Sequence, residues 1–432
     1  MSSTGSIGGD GPRLTSVDDS EAPPRRAFTR AVRRIVPESG AIRSIALITF
    51  VDAVGLGLYS TGAIVFFVRS LHLPVGYVGV SLSIAAGIGL LASVPAGRLV
   101  DRRDAKQVLV ALSFAQAVLF ALFPLVEGRV AFFVVVSAAA LAAIAAQPAR
   151  RVLIVRLFDE RRRVAATAYS RSVLNVGVSV GALLAAGALA LDTRPAYDAL
   201  LLGNAASFVG VGLLVARLRL PPRPWAAGTA EAGPPAHAAR HPLRQPRFVA
   251  VSASCGILYL SASILDVALA LQVSQHTDAP RAIIAFLLLL NTAMVVLLQV
   301  HASKGSDTIP GAARANRWAG LALLGSCVLF PLSSHRPAVI AVVLLIGATV
   351  LLTAGELFSS AGSWGVSYGL APKNREGEYI ASFFLVSQVV QVVGPALSAA
   401  VVAGGAYAWL LLGVVFLAAG LISPLIVGRS KV

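Results

Sequence analysis

Gly97-Arg98-Leu99-Val100-Asp101-Arg102-Arg103-Asp104-Ala105-Lys106 is a basic ten-residue hinge between two apolar stretches. A helix needs about 20 apolar residues, each rising about 1.5 Å, to cross a hydrocarbon core of about 30 Å. Residues 77–97 and 108–126 meet that requirement on either side of the hinge. Outward from them, 45–68, 130–149, 164–191, 198–216, 248–273, 281–300, 317–333, 337–359, 378–402 and 406–428 meet it too. Composition demands the same reading. With 56% hydrophobic and 13% charged residues and a mean hydropathy of +0.79, the chain has too little polar surface to cover a soluble fold. Only helices and closed barrels satisfy the backbone in lipid, and the alternating segments of a barrel are absent. The expected class is an all-α integral membrane protein of twelve transmembrane helices.

A net charge of +16 suits nucleic acid when it is clustered on one soluble face, but here it follows the loops. With both ends inside, the cytoplasmic segments hold 30 of the 36 Lys and Arg residues. Arg69, Arg129, Arg194, Arg281 and Arg336 fall outside, and Arg171 lies within a span. That asymmetry follows the positive-inside rule, so both termini are expected in the cytoplasm and no nucleic-acid partner is expected. Residues 1–44, rich in Ser, Gly, Pro and Arg, read as a disordered cytoplasmic arm without a cleavable leader, and 429–432 as a short cytoplasmic tail. Cys255 and Cys327 sit in apolar spans and the six histidines are scattered, which indicates neither a disulfide framework nor a metal site.

Arg217 to Arg247 carries seven prolines and six arginines and reads as a cytoplasmic linker. It divides the membrane region into six-helix bundles at 45–216 and 248–428. The two echo each other at an offset of 213 residues, which pairs Arg162 with Arg375, Asn175 with Gln388 and Gly181 with Gly394. Two parallel repeats place a substrate site at the midplane between them, and they expose it to one side at a time by rocking.

Ionisable side chains inside spans are functional candidates by default. Asp52 lies nine residues after Arg43, about 13 Å into the first span, and Arg171 lies eight residues after Arg163, about 12 Å into the fifth. Glu356 sits in the tenth span, ahead of a tail from Leu357 to Pro372 whose Gly362, Gly365 and Gly369 are places for a bend. Asp266 is placed near the external end of the seventh span, where interfacial water would solvate it. All four are candidates for proton coupling. Polar residues suited to a cavity wall are Tyr59, Gln116, Gln147, Asn175, Gln272, Asn291, Gln388 and Gln391, each of which is equally suited to a helix-to-helix hydrogen bond.

The hinge resembles the loop signature of the major facilitator superfamily, roughly Gly-x-Leu-Ala-Asp-Arg-x-Gly-Arg-Lys. Gly97, Leu99, Asp101, Arg102 and Lys106 match it, while Asp104 and Ala105 depart from it. Arg171-x3-Asn175-x-Gly177-x3-Gly181 resembles the fifth-helix signature of drug-exporting facilitators, with Ala182 in place of the Pro that often follows and Gly394-Pro395 at the equivalent place in span eleven. Gly177, Gly181 and Gly394 are accordingly expected to permit tight helix contact. Gly355-Glu356 followed by Ala371-Pro372-x-x-Arg375-x-Gly377-x-Tyr379 resembles the tenth-to-eleventh connection of multidrug exporters.

The resemblance implies two pseudo-symmetric six-helix bundles and a neighbouring first and fifth helix, hence an Asp52–Arg171 ion pair. It implies that Asp101 caps the start of span eleven and holds one closed state. It also implies a fourth-span basic residue for proton antiport, yet Val130 to Gln147 contains none, so coupling is expected to use other groups. Gly365-Val366-Ser367-Tyr368-Gly369 matches a nucleophile-elbow pattern without the strand before it or the partner His and acid that it needs, and no phosphate-binding loop is present. No enzyme activity and no cofactor are expected. The reading is a monomeric plasma-membrane transporter that exports a small amphiphilic or drug-like compound in exchange for protons, its partners being the bilayer, that compound and protons. Proton-coupled uptake of a neutral nutrient and a non-transporting receptor or scaffold are the alternatives.

Overall fold

The computed structural model describes residues 40–220, 241–372 and 375–427. Residues 1–39 of the expected N-terminal arm, the last residues and most of the linker lie outside the described residues, whereas 40–44, expected in the arm, already belong to the first helix. The described residues from Ser44 onward form one compact unit.

Twelve helices among the described residues are long and apolar enough to span a membrane. They are α1 (Gly40–Arg69), α2 (Val75–Arg102), α3 (Ala105–Leu122), α4 (Gly128–Leu157), α5 (Glu160–Leu191) and α6 (Arg194–Arg217), then α7 (Pro246–His276), α8 (Ile283–Ala302), α9 (Ile309–Leu332), α10 (Ala338–Gly369), α11 (Glu376–Ala403) and α12 (Gly405–Val427). Two run well past their apolar segments. α4 continues to Leu157, which brings Arg150 and Arg151 into the helix, and the Arg163 side chain donates to its terminal carbonyls at Val155 (3.1 Å) and Phe158 (3.2 Å). α10 continues to Gly369, and its Gly362 and Gly365 admit Asn316, Ala312 and the Ser306 carbonyl at close range. The elbow-like run therefore lies at the end of a helix, with no strand before it.

Packing repeats between the halves. α2 packs on α4 as α8 packs on α10, and α3 packs on α6 as α9 packs on α12. α5 crosses α1 with Gly181 against the Val54 carbonyl and Gly57, while α11 crosses α7 with Gly394 against Ser263 and Leu260. The joint between the halves repeats as well, α2 against α11 matching α8 against α5.

The joining contacts concentrate at the end of the bundle that carries the Gly97–Lys106 hinge. There Val155, Val164 and Ala168 share one apolar cluster with Ala361, Trp364, Tyr368 and Ile380. Thr167 and Tyr368 hydroxyls meet at 3.0 Å, and the Ser93 hydroxyl donates to the Ala381 carbonyl at 3.4 Å. Toward the opposite end each half keeps its own core, one around Phe66, Phe67, Phe120, Phe123 and Phe132, the other around Phe330, Trp409 and Phe416. The structure is thus sealed at the hinge end.

Candidate functional site

At the hinge end the start of α11 is held by α2. The Asp101 carboxylate accepts the backbone N–H groups of Gly377 (2.7 Å) and Glu378 (2.9 Å), donors that the first turn of a helix leaves without partners. Gly97 and Gly377 make this approach possible. A Cβ on either one would stand 2.5 Å from the other's carbonyl oxygen, closer than any side chain tolerates. Glu378, only 4% exposed, accepts from Arg98 across the seam (3.1 Å) and from Arg375 on its own side (2.6 Å). His241 lies 3.4 Å from the same carboxylate, and burial pushes its imidazole below the ordinary value, so it meets Glu378 as a neutral ring at pH 7.

The rest of the hinge serves its own half. Asp104 caps α3 by accepting the Lys106 amide (2.8 Å) and pairs with Arg156 (3.0 Å), while the Lys106 ammonium donates to the Leu218 carbonyl (2.9 Å). Leu99 and Arg102 are exposed. In the loop between α8 and α9, Asp307 faces the backbone of Val164 in α5, as Asp101 faces that of α11.

Farther in, the expected Asp52–Arg171 pair does not form. Asp52 is held instead by Arg150 of α4 through both carboxylate oxygens, the Nη2 to Oδ1 contact measuring 2.8 Å. Arg171 reaches across the seam to Glu356 of α10 and donates to the Ser360 hydroxyl at 2.6 Å. Asn291 of α8 completes this cluster, donating to Glu356 and to the Thr353 hydroxyl, each at 3.0 Å. The reason lies in helix geometry. Gly177 and Gly181 turn toward α1, and they follow Arg171 by six and ten residues, which at 3.6 per turn places Arg171 about 100° round the helix from the α1-facing stripe. The expectation that span four lacks a basic group is corrected with it, because α4 does not stop at 149.

Asp266 occupies a five-residue π-helical stretch of α7, Ile264–Ala268, ten residues from the helix end. At about 15 Å from that end it sits deeper than an interfacial residue, which corrects the expected position. π-Helical turns recur at functional sites, and the Asp266 carboxylate is exposed and within electrostatic reach of Glu356.

The cavity candidates divide. Gln147 and Gln388 line a recess at the hinge-end floor with Ser93, Ile144, Arg151 and Phe384. Asn291 belongs to the Glu356 cluster. Gln116 donates within its own helix (3.2 Å to the Leu112 carbonyl), as does Gln391 (3.4 Å to that of Ser387). Gln272, 2% exposed, ties α7 to Phe330 and Ser334, and Tyr59 packs edge-on against Phe120. Asn175 is half-buried on α5. Arg150, Arg151, Ser360 and Glu378 escaped the sequence reading. The basic pair reads as loop in the sequence because the apolar segment stops just before it, and the other two look ordinary until a partner from the other half is in place.

The family model described as Major Facilitator Superfamily matches residues 45–395. No curated protein matches the chain. Among solved structures, a bacterial homologue of the iron transporter ferroportin in an outward-facing state is 15% identical, with a TM-score of 0.65 over 90% of this chain and 98% of that one. The E. coli fucose:proton symporter FucP is 15% identical with a TM-score of 0.64 over 90% and 98%, and a structure of FucP in the outward conformation is 16% identical with a TM-score of 0.66 over 90% and 99%. Those identities speak for the fold alone. With the family model running from α1 into α11 and twelve spanning helices arranged in repeated halves, the chain belongs to the major facilitator superfamily and is a multi-pass membrane transporter.

Proposed function

We propose that this transporter is a proton-coupled exporter of a small organic compound, with Glu356 as the proton carrier. The observation that carries the reading is the Arg171–Glu356 ion pair, because it crosses the seam between the halves and one partner can be neutralised by a proton. Glu356 is 8% exposed, so its charge relies on Arg171 and Asn291 for compensation.

The cycle follows from that charge. Ionised Glu356 holds Arg171 and, with the Asp101 cap and the Arg98–Glu378 pair, keeps the hinge end shut. Protonation removes the attraction, frees the halves to part at the hinge end, and lets the proton leave there. Reforming the pair returns the closed state, so one carboxylate biases two conformations. The Lys and Arg distribution supports a cytoplasmic hinge end and cytoplasmic termini in the plasma membrane, which makes the sealed state outward-facing. Asp52, paired with Arg150 inside one bundle, changes no seam contact on protonation and ranks second, and the exposed Asp266 is a relay between the cavity and Glu356.

Export over uptake is supported by the fifth-helix and tenth-to-eleventh motifs, which the fold uses for the α1–α5 crossing and the α11 cap. In proteoliposomes an imposed pH gradient should drive substrate against the direction of proton flow. Co-directional movement would establish symport, and movement indifferent to the gradient would remove Glu356 as carrier.

A further inference from the structure

Among the described residues, Arg151 is a seam cation that takes part in none of the ion pairs above, and, unlike Arg163, it has no backbone carbonyl to donate to either. It follows Arg150 in α4 but points elsewhere: its guanidinium lies over the Phe384 ring of α11, 3.3 Å from Cζ to the ring centre. The nearby acids are already engaged, Asp52 with Arg150, Glu356 with Arg171, and Glu378 with Arg98 and Arg375. Neutral polar groups face Arg151. Ser93, Gln147 and Gln388 line the same recess, and the Tyr259 and Tyr368 hydroxyls lie within electrostatic reach.

A guanidinium taken out of water needs a counter-charge, and an aromatic face supplies only part of one. The recess opens between the halves beside exposed Gln147, so the missing charge can arrive from the cavity. We propose that this recess is an anion subsite and that the transported compound is an apolar organic carboxylate. The recess has a volume of only about 10 Å³, so it takes the carboxylate alone: Arg151 is its two-pronged donor, the Gln147 and Gln388 amides complete its hydrogen bonds, and the apolar body stays in the cavity beyond the recess. A single guanidinium matches a monoanion, whereas a phosphate dianion would call for a second cation. The assignment rests on the transport reading and narrows its substrate class.

The test uses the full-length protein in detergent with 1-naphthoate and 1-naphthamide as a matched acid and amide, binding being followed by tryptophan fluorescence. Wild type should bind naphthoate about tenfold to a hundredfold more tightly than naphthamide, the range expected for hydrogen bonds to a charged group. Arg151→Gln should erase the preference, and Arg151→Lys should keep part of it. Equal affinity of acid and amide for wild type, binding of neither, or a preference that survives Arg151→Gln would each overturn the subsite. The wild-type comparison needs no variant and so stands even where Arg151→Gln fails to fold. Proteoliposomes separate this inference from transport itself. Glu356-dependent movement of the amide would sink the anion subsite alone, whereas Arg151-dependent binding of naphthoate without movement of any compound would sink the transport reading alone.

Discussion

Arg171 of α5 and Glu356 of α10 form an ion pair across the seam between the two six-helix halves, reinforced by Ser360 and Asn291. Its strength is therefore tied to the conformation of the whole bundle and not only to the stability of one half. Glu356→Gln keeps the hydrogen-bonding shape but removes the titrating group. Transport driven by a pH gradient should fall at least tenfold, while exchange of labelled for unlabelled substrate across proteoliposomes with no gradient persists. Gradient-driven transport at the wild-type rate would show that the proton travels by another group.

Asp101→Asn tests the cap on α11. Asparagine offers one acceptor where the carboxylate offers two, turns its amide N–H toward the other backbone donor and brings no charge to the helix N-terminus, a loss of about 1–3 kcal/mol, which is a factor of at least about five in the population of the sealed state. Transport should drop while membrane insertion continues. Cysteine-labelling rates at a hinge-end position should rise, and unchanged transport together with unchanged labelling would reject the role.

The Asp52–Arg150 pair lies within one half, so it is expected to govern stability. Asp52→Asn or Arg150→Gln alone strands a partly buried charge and should cost about 3–5 kcal/mol, whereas the double substitution should recover most of that loss. Thermal unfolding of the three variants in detergent reads the coupling directly. Additive losses would mean that the two residues act independently.

Gly181 leaves no room at the α1–α5 crossing, because a Cβ there would stand 2.1 Å from the Val54 carbonyl. Gly181→Ala must push the helices apart, at about 1–3 kcal/mol. Gly187 in the same helix has open space, so Gly187→Ala should change little. Unfolding temperatures for the pair should differ by several degrees, and equal values would show that the crossing yields freely.

Asp192 follows α5 in the left-handed region (φ 46°), and Arg69 lies 2.5 Å from its carboxylate. The Tyr197 hydroxyl and then the Arg69 guanidinium hold its carboxyl below the ordinary value. A depressed carboxylate contributes stability above its unfolded value of about 4 and loses it as the pH falls through the folded value. Asp192→Asn, which tolerates the same backbone, should lower the unfolding temperature at pH 7, and the gap should narrow progressively as the pH falls below about 4. A gap of unchanged size at low pH would assign the effect to packing.

Much of this architecture was legible in the residues. Apolar segments of bilayer length depend on composition and spacing alone, so twelve spans could be counted, and the glycines of α5 marked a close crossing because a missing side chain is a local fact. Even the failure of the Asp52–Arg171 pair was latent in the sequence, since the 100° between Arg171 and Gly177–Gly181 turns the arginine away from α1. What no segment contains is the partner. α4 continues past its apolar stretch because basic residues are tolerated where another helix supplies a carboxylate, and only the assembled bundle supplies Asp52. Glu356 becomes a switch only when α5 lies beside α10, and Arg151 stands apart only once every neighbouring acid has been claimed. Hydrophobicity determined which segments enter the membrane; the arrangement of the helices decided which charges meet inside it, because in a low-dielectric interior each charge answers to its neighbours in space rather than in the chain.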